Sequence, residues 1–200
     1  MIQDLDETLR ELLVQKVPID SGAIDIKFEM PSKDWETKLQ KPTINVFLYD
    51  VRENHELRSN EQFLARNGAI ATETAAPIRM DLSYLITVWT KEIADEHRLL
   101  GTILKTLLRY PILPADVLRG EMVNQSLPLR AWITQPDRTP NAWDFWGALD
   151  GRLKASFSYL VTVGVEPIAP VEVGLVTEQV IKFRKQDGSE FLGAESSQGQ

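Results

Sequence analysis

No cysteine occurs anywhere in the 200 residues, which removes disulfides, thiolate nucleophiles and cysteine-held zinc together. Histidine is nearly as scarce, with only His55 and His97. His55-Glu56 is followed by Leu-Arg-Ser, so the second histidine of a His-Glu-x-x-His zinc helix is missing. His97 lies in a helical pattern between Glu96 and Arg98, where adjacent side chains point about 100° apart. It reads as a histidine bonding to a neighbouring element. No Gly-x-Ser-x-Gly elbow, phosphate loop or dinucleotide glycine fingerprint is present. Long apolar runs are missing too. None approaches the ~20 residues of a membrane span, and the opening Met-Ile-Gln-Asp-Leu-Asp-Glu carries acids where a signal peptide needs a basic region. Positive charge is in short supply: 22 Lys and Arg against 29 Asp and Glu leave a net charge of −7. That balance opposes binding to nucleic acid or anionic lipid. The sequence therefore predicts a soluble protein with no nucleic-acid partner and no direct membrane insertion. Among its acids, Asp50, Glu53 and Asp81 could form a carboxylate pair, but they are explained more simply as partners of Arg52, Arg58 and Arg79 at strand ends.

What is present is a strand feeding a helix. In Arg79 to Trp89, Met80, Leu82, Tyr84, Ile86 and Val88 share one face. The other face passes from Asp81 and Ser83 to Leu85, Thr87 and Trp89, as in a strand entering the middle of a covered sheet. The period then changes, and Ile93, Leu99, Leu100, Ile103, Leu104, Leu107 and Leu108 line a helix, with Thr90 as N-cap and Pro111 as stop.

Around this unit the pattern predicts an opening helix with Leu5, Leu9, Leu12 and Leu13 on one face and Asp4 and Glu7 spaced like a capping box. A strand follows with Ile24, Ile26, Phe28 and Met30 inward, then a polar link containing Trp35, then a central strand from Thr43 to Asp50. The charges of Val51 to Arg58 say that the chain has left the core. Asn67-Gly68 suits a type I′ turn and predicts a short projecting hairpin between Phe63, Leu64 and Ile70. Further on, one helical turn is expected at Ala115–Arg119, a short strand at Leu129–Thr134 and a short helix capped by Asn141 that carries Trp143, Phe145, Trp146 and Leu149. A strand from Ala155 to Val165 contains Ser158-Tyr-Leu-Val-Thr-Val, an echo of Ser83-Tyr-Leu-Ile-Thr-Val. The fold class is α/β, one domain with a mixed central sheet packed by helices, covering residues 1–170. Residues 171–185 read as a strand-like extension and 186–200 as a polar, loose tail.

Four segments in order carry a resemblance: Tyr49-Asp-Val-Arg-Glu-Asn, Arg79-Met-Asp-Leu-Ser-Tyr-Leu-Ile-Thr-Val-Trp, Glu96-His-Arg-Leu-Leu-Gly and Ser158-Tyr-Leu-Val-Thr-Val. Together they resemble the N-terminal domain of the cap, or tail-terminator, proteins of extracellular contractile injection systems of the antifeeding-prophage type, over about residues 1–167. The resemblance implies a tail-terminator-like fold, no cofactor and no catalytic residues. It implies a structural protein that closes the sheath and inner tube opposite the baseplate, with itself as a ring (a hexamer), the sheath protein and the inner tube protein as partners. It further implies cytoplasmic assembly into a particle that can be released. The alternatives from other classes are a monomeric adaptor or ligand-binding module, and a hydrolase. Candidate assembly or loop-fixing residues are Arg52, Glu53 and Asn54 with Asp81, where Arg52 is expected to pair with a carboxylate such as Asp81 and Asn54 to bond to backbone. Asn67 and Gly68 form a second group. Val171, Val173, Leu175, Val180, Ile181 and Phe183 form a third, expected to pair as an added strand with another chain or to fold back on their own domain.

Overall fold

The structure, a computed structural model, describes residues 1–31, 33–67, 70–133, 146–147, 153–166, 169, 171–174, 180–184 and 190–194. The chain divides into two compact units, Met1–Arg58 with Ile78–Val165, and Ser59–Pro77 with Glu166–Gln200. The boundary expected at residue 170 thus falls earlier, and the hairpin segment belongs with the C-terminal segment.

In the first unit, helix α1 (Ile2–Lys16) and helix α3 (Ile93–Leu107) contribute to a core on one face of a five-stranded sheet. Its strands are β1 (Asp25–Lys27), β2 (Thr43–Glu53), β5 (Ile78–Trp89), β6 (Arg130–Ile133) and β7 (Ser156–Val165). They lie in the order β1-β2-β5-β7-β6, with β1 parallel to β2 and every other pair antiparallel. The expected strand β5 is its middle. Leu82, Tyr84, Ile86 and Val88 from β5 meet Phe157, Tyr159, Val161 and Val163 from β7 and Leu5, Leu9, Leu12 and Leu13 from α1. The opposite face of β5 carries Leu85 and Trp89, which join Trp35 and Trp146 in a second apolar cluster. Trp35 and Trp89 meet edge to face with centroids 5.2 Å apart, a favoured aromatic geometry. Trp35 stands on α2 (Lys33–Glu36), within the stretch expected to be a link. The serine-tyrosine echo lies on neighbouring strands: Tyr84 faces Tyr159, Ser83 faces Leu160 and Leu85 faces Ser158, so the two copies are related by a local two-fold through the tyrosines.

Several expectations are corrected. Met30 is exposed, because β1 lasts three residues and the Asn45 side chain then holds the Glu29 backbone, accepting from its N–H and donating to its carbonyl. Ile93 and Leu108 are exposed as well. At 100° per residue they stand about 80° and 140° from Ile103, off the stripe formed by Leu99, Ile103 and Leu107. Helix α3 opens at Glu92 rather than Thr90, whose hydroxyl donates to the Glu92 carbonyl, and it ends at Leu107, short of Pro111. Helix α1 starts one turn before the expected cap: Met1 is its N-cap, and Asp4 accepts from the N-terminal amine at 2.9 Å. The helical turn expected at Ala115–Arg119 is the 3₁₀ turn Ala115–Val117, and a second 3₁₀ stretch, Gly120–Asn124, follows it past the expected end. Of the helix expected after Asn141, Trp146 and Gly147 are helical, and Trp143, Phe145 and Leu149 lie outside the described residues.

The second unit contains a three-stranded antiparallel sheet in the order β3-β4-β8 and a separate antiparallel pair, β9 with β10. The hairpin β3 (Gln62–Asn67) and β4 (Ile70–Ala75) pairs Asn67 with Ile70. Asn67 is therefore the last ladder residue and not a central residue of the turn; residues 68 and 69, which separate the pair, lie outside the described residues. β8 (Val171–Gly174) adds to β4, with Val171 opposite Glu73 and Val173 opposite Ala71. β9 (Val180–Arg184) pairs with β10 (Glu190–Ala194), which occupies part of the stretch expected to be a loose tail.

Two predictions follow from the first unit. Gly120 has φ +52°, and a Cβ there would come within 2.4 Å of the Asp4 carboxyl group. Gly120→Ala is expected to lose at least about 1–2 kcal/mol from the left-handed backbone alone, read as a lower denaturation midpoint at unchanged m-value. Burial, opposed by the Tyr84 hydroxyl that donates to it at 2.8 Å, raises the Asp6 carboxyl pKa above the usual range. A raised folded-state value means that the contribution is fully present below the unfolded pKa and is lost as pH rises through the folded one. Asp6→Asn, which keeps an acceptor for Tyr84, should raise the melting temperature at neutral pH, and the gain should vanish at the acid end of the carboxylate range.

Candidate assembly surface

Strand β2 does not end at Asp50. It runs on to Glu53, and a β-bulge places Tyr49 between the pairs Leu48–Tyr84 and Asp50–Ser83. The extra residue reverses the alternation beyond it. Before the bulge Asn45 and Phe47 face Thr87 and Leu85; after it Asp50 and Arg52 take the same side, opposite Ser83 and Asp81. Tyr49 itself packs against the tryptophan cluster and bonds through its hydroxyl to Ser158 at 3.0 Å.

This change of side brings the predicted residues Arg52, Asn54 and Asp81 together, with different partners from those expected. Asp81 is 1% exposed, and one carboxylate oxygen accepts from Asn54 Nδ2 at 2.9 Å while the other accepts from the Thr162 hydroxyl. Arg52, 58% exposed, pairs with Asp50 and not with Asp81. That carboxylate also raises the Arg52 pKa. Asn54 is the joint. Its N–H donates to the Arg79 carbonyl, its side-chain oxygen accepts from Leu57 N–H, and its amide donates to Asp81, so it ends β2 and caps the 3₁₀ turn His55–Leu57. Glu53 is approached by Arg58 at 3.6 Å and His55 at 3.8 Å. Thr162 is the functional polar group that sequence reasoning missed. Its signal was available in the echo, since a hydroxyl in an otherwise apolar strand facing a buried acid is a partner in waiting.

Across the sheet, Arg52, Asp81, Thr162 and Arg130 stand opposite one another on β2, β5, β7 and β6, and Ile112 extends the row by an isolated bridge to Arg130. At the other end of β5, Trp89 lines a cleft of about 1040 Å³ together with Ile19, Ile24, Leu39 and Leu99. Its rim mixes Glu36, Glu92 and Asp95 with Lys41, Lys91 and Arg98. Among the described residues no group of three or more His, Asp or Glu side chains is placed to hold a metal ion.

The remaining predicted residues are placed apart from this row. Asn67 ends β3, and Gly68 and Leu175 lie outside the described residues. Val171 and Val173 pair with β4, and Val180, Ile181 and Phe183 pair with β10, so the premise of an unpartnered strand fails: each already has a ladder within its own chain.

Asn54→Ala leaves a nearly fully buried carboxylate short of one donor and is expected to cost about 1–3 kcal/mol. Arg52→Ala breaks an exposed pair and should cost less than about 1 kcal/mol. Urea denaturation of the two variants side by side checks the ordering.

Over 100% of the chain, the fold matches the sheath/tube terminator of PVC, an extracellular contractile injection system, in the extended state, with TM-score 0.64 and 21% identity. Over 92% it matches the anti-feeding prophage cap, a tube-terminating cap, with TM-score 0.66 and 22% identity. The chain spans 63% and 62% of those two proteins, and at this identity the likeness is one of fold. No curated protein matches the chain. The profile of the Pvc16 N-terminal domain covers residues 4–178, beyond the expected limit of about 167 and through β8. With that span matched, the chain belongs to the Pvc16 N-terminal domain family.

Proposed function

We propose that this chain is a structural cap that terminates the sheath and inner tube of a contractile injection particle, assembling as a ring. The observation that carries the reading is the match of the fold to a sheath/tube terminator over 100% of the chain and to a tube-terminating cap over 92% of it. Family membership supports it. The physical requirement is plain: a terminator presents one face complementary to the last ring of a polymer and another that refuses the next ring. Six copies arranged head to tail would match a six-fold tube, and such an interface closes into a ring when its rotation divides a full turn. The partners under this reading are further copies of this chain, the inner tube protein and the sheath protein. Its work needs no cofactor and no catalytic group, and its place is in the assembled particle.

Electron microscopy of particles made with and without this chain tests the proposal. With it, particle ends opposite the baseplate are closed and of one shape, and particle lengths cluster. Without it, ends are open or frayed and lengths broaden. Normal ends and an unchanged length distribution in its absence would count against a terminator. A chain of 22.7 kDa that binds one component as a monomer would instead indicate an adaptor.

A further inference from the structure

The face of the central sheet that carries Asp81 also carries two arginines with no counter-charge of their own. Arg79, next but one to Asp81 on β5, stands opposite Gly164 of β7. Arg130 of β6 stands opposite Thr162, the residue next but one to Gly164. The two arginines therefore flank the same stretch of β7 from either side. Strands two apart are separated by about 10 Å, a span that two arginine side chains can close over a glycine that fills none of it. Among the described residues, neither guanidinium has an ion pair or side-chain hydrogen bond. Burial, and after it the charge of Arg130, lowers the Arg79 pKa. This contrasts with Arg52 in the same row, which has Asp50.

Beside Arg130 lies Ile112, 48% exposed and opposite it in the sheet. Arginine is enriched in interfaces relative to the rest of the surface, and Ile112 gives this pair an apolar neighbour. Two arginines on one face, close enough for the charge of one to act on the other, suit a carboxylate, which accepts guanidinium donors in pairs. The source of the carboxylate follows from the charge. Copies of a chain at −7 repel one another at a distance, so self-assembly requires local sites where the acidic surface of one copy meets positive charge on the next.

We propose that Arg79 and Arg130, with Ile112 beside them, form the docking site for a carboxylate-bearing surface of a second copy of this chain. The inference rests on the ring reading above and names the residues that hold its subunits together.

The test is sedimentation velocity of the full chain at low and high salt, comparing wild type, the double variant Arg79→Gln/Arg130→Gln and the control Arg109→Gln, an exposed arginine just past the end of α3. Wild type is expected to self-associate, less so at high salt. The double variant is expected to associate about 10- to 100-fold more weakly and to lose most of its salt dependence. Arg109→Gln should behave as wild type, and melting temperatures should agree across all three. The conservative Arg79→Lys/Arg130→Lys variant, which keeps charge and loses the fork, should fall between. Association unaffected by the double substitution overturns the site, as does a wild type that remains monomeric. A double variant that still forms rings but no longer joins sheath or tube also overturns it, because the occupant is then another protein. Micrographs separate this from the broader reading: if the chain closes particle ends while the substitutions leave association untouched, only the docking site is lost. If particle ends form normally without the chain, the cap reading is lost even where the arginines drive self-association.

Discussion

A strand covered on both faces cannot leave a polar side chain to water, and β5 is such a strand. One face lies in the main core and the other carries Leu85 and Trp89 into the tryptophan cluster, so Asp81, Ser83 and Thr87 are buried with them. An acid in that position is tolerable only if its oxygens are met by donors fixed in place. Much of the surrounding arrangement answers this demand. Thr162 is supplied by the neighbouring strand, Asn54 by the end of β2, and the bulge at Tyr49 sets the side on which β2 finishes. The same bulge delivers Arg52 and Asp50 to one face, so the charged row across the sheet begins with a requirement of the core.

The parts that could be read from sequence were those whose cause is local. Period-two and period-3.6 patterns identified β5 and α3 and most of their inward residues, Ile93 and Leu108 excepted, because burial against one partner face leaves a repeating signature. The central place of the Asn67-Gly68 region in a hairpin was also readable, but the turn's exact residues were not, since a register one residue away is equally compatible with the composition. The bulge was invisible. Nothing in Phe47-Leu48-Tyr49-Asp50 announces an unpaired residue, and without it the alternation assigns Asp50 and Arg52 to the wrong side. Partner choice failed for a related reason: Arg52 and Asp81 are indeed opposite one another, yet the exposed arginine bonds to Asp50 on its own strand, while Asn54 and Thr162 donate to the buried acid.

The C-terminal segment shows the same limit at longer range. Its alternating valines correctly signalled strands, but strand propensity does not name a partner. The partner of β8 is β4, about a hundred positions earlier, and that pairing draws two distant stretches of sequence into one unit. A reading that follows the chain in order places the boundary after the last central strand and misses that the hairpin inserted between β2 and β5 belongs on the far side of it. The tyrosine echo, by contrast, had a simple cause: two adjacent antiparallel strands with equivalent surroundings converge on the same short sequence.

The pairing of β8 with β4 has a mechanical consequence. Tension applied to the C-terminal segment does not reach the central sheet through a single connection. Part of it passes directly along the backbone into β7, and part crosses the β8–β4 ladder and enters β5 through the chain at 76 and 77. From β3 a further path leads through 59–61 towards β2. β2, β5 and β7 are adjacent in the sheet, so such a pull is divided among three neighbouring strands that share ladders and is not delivered to one strand alone.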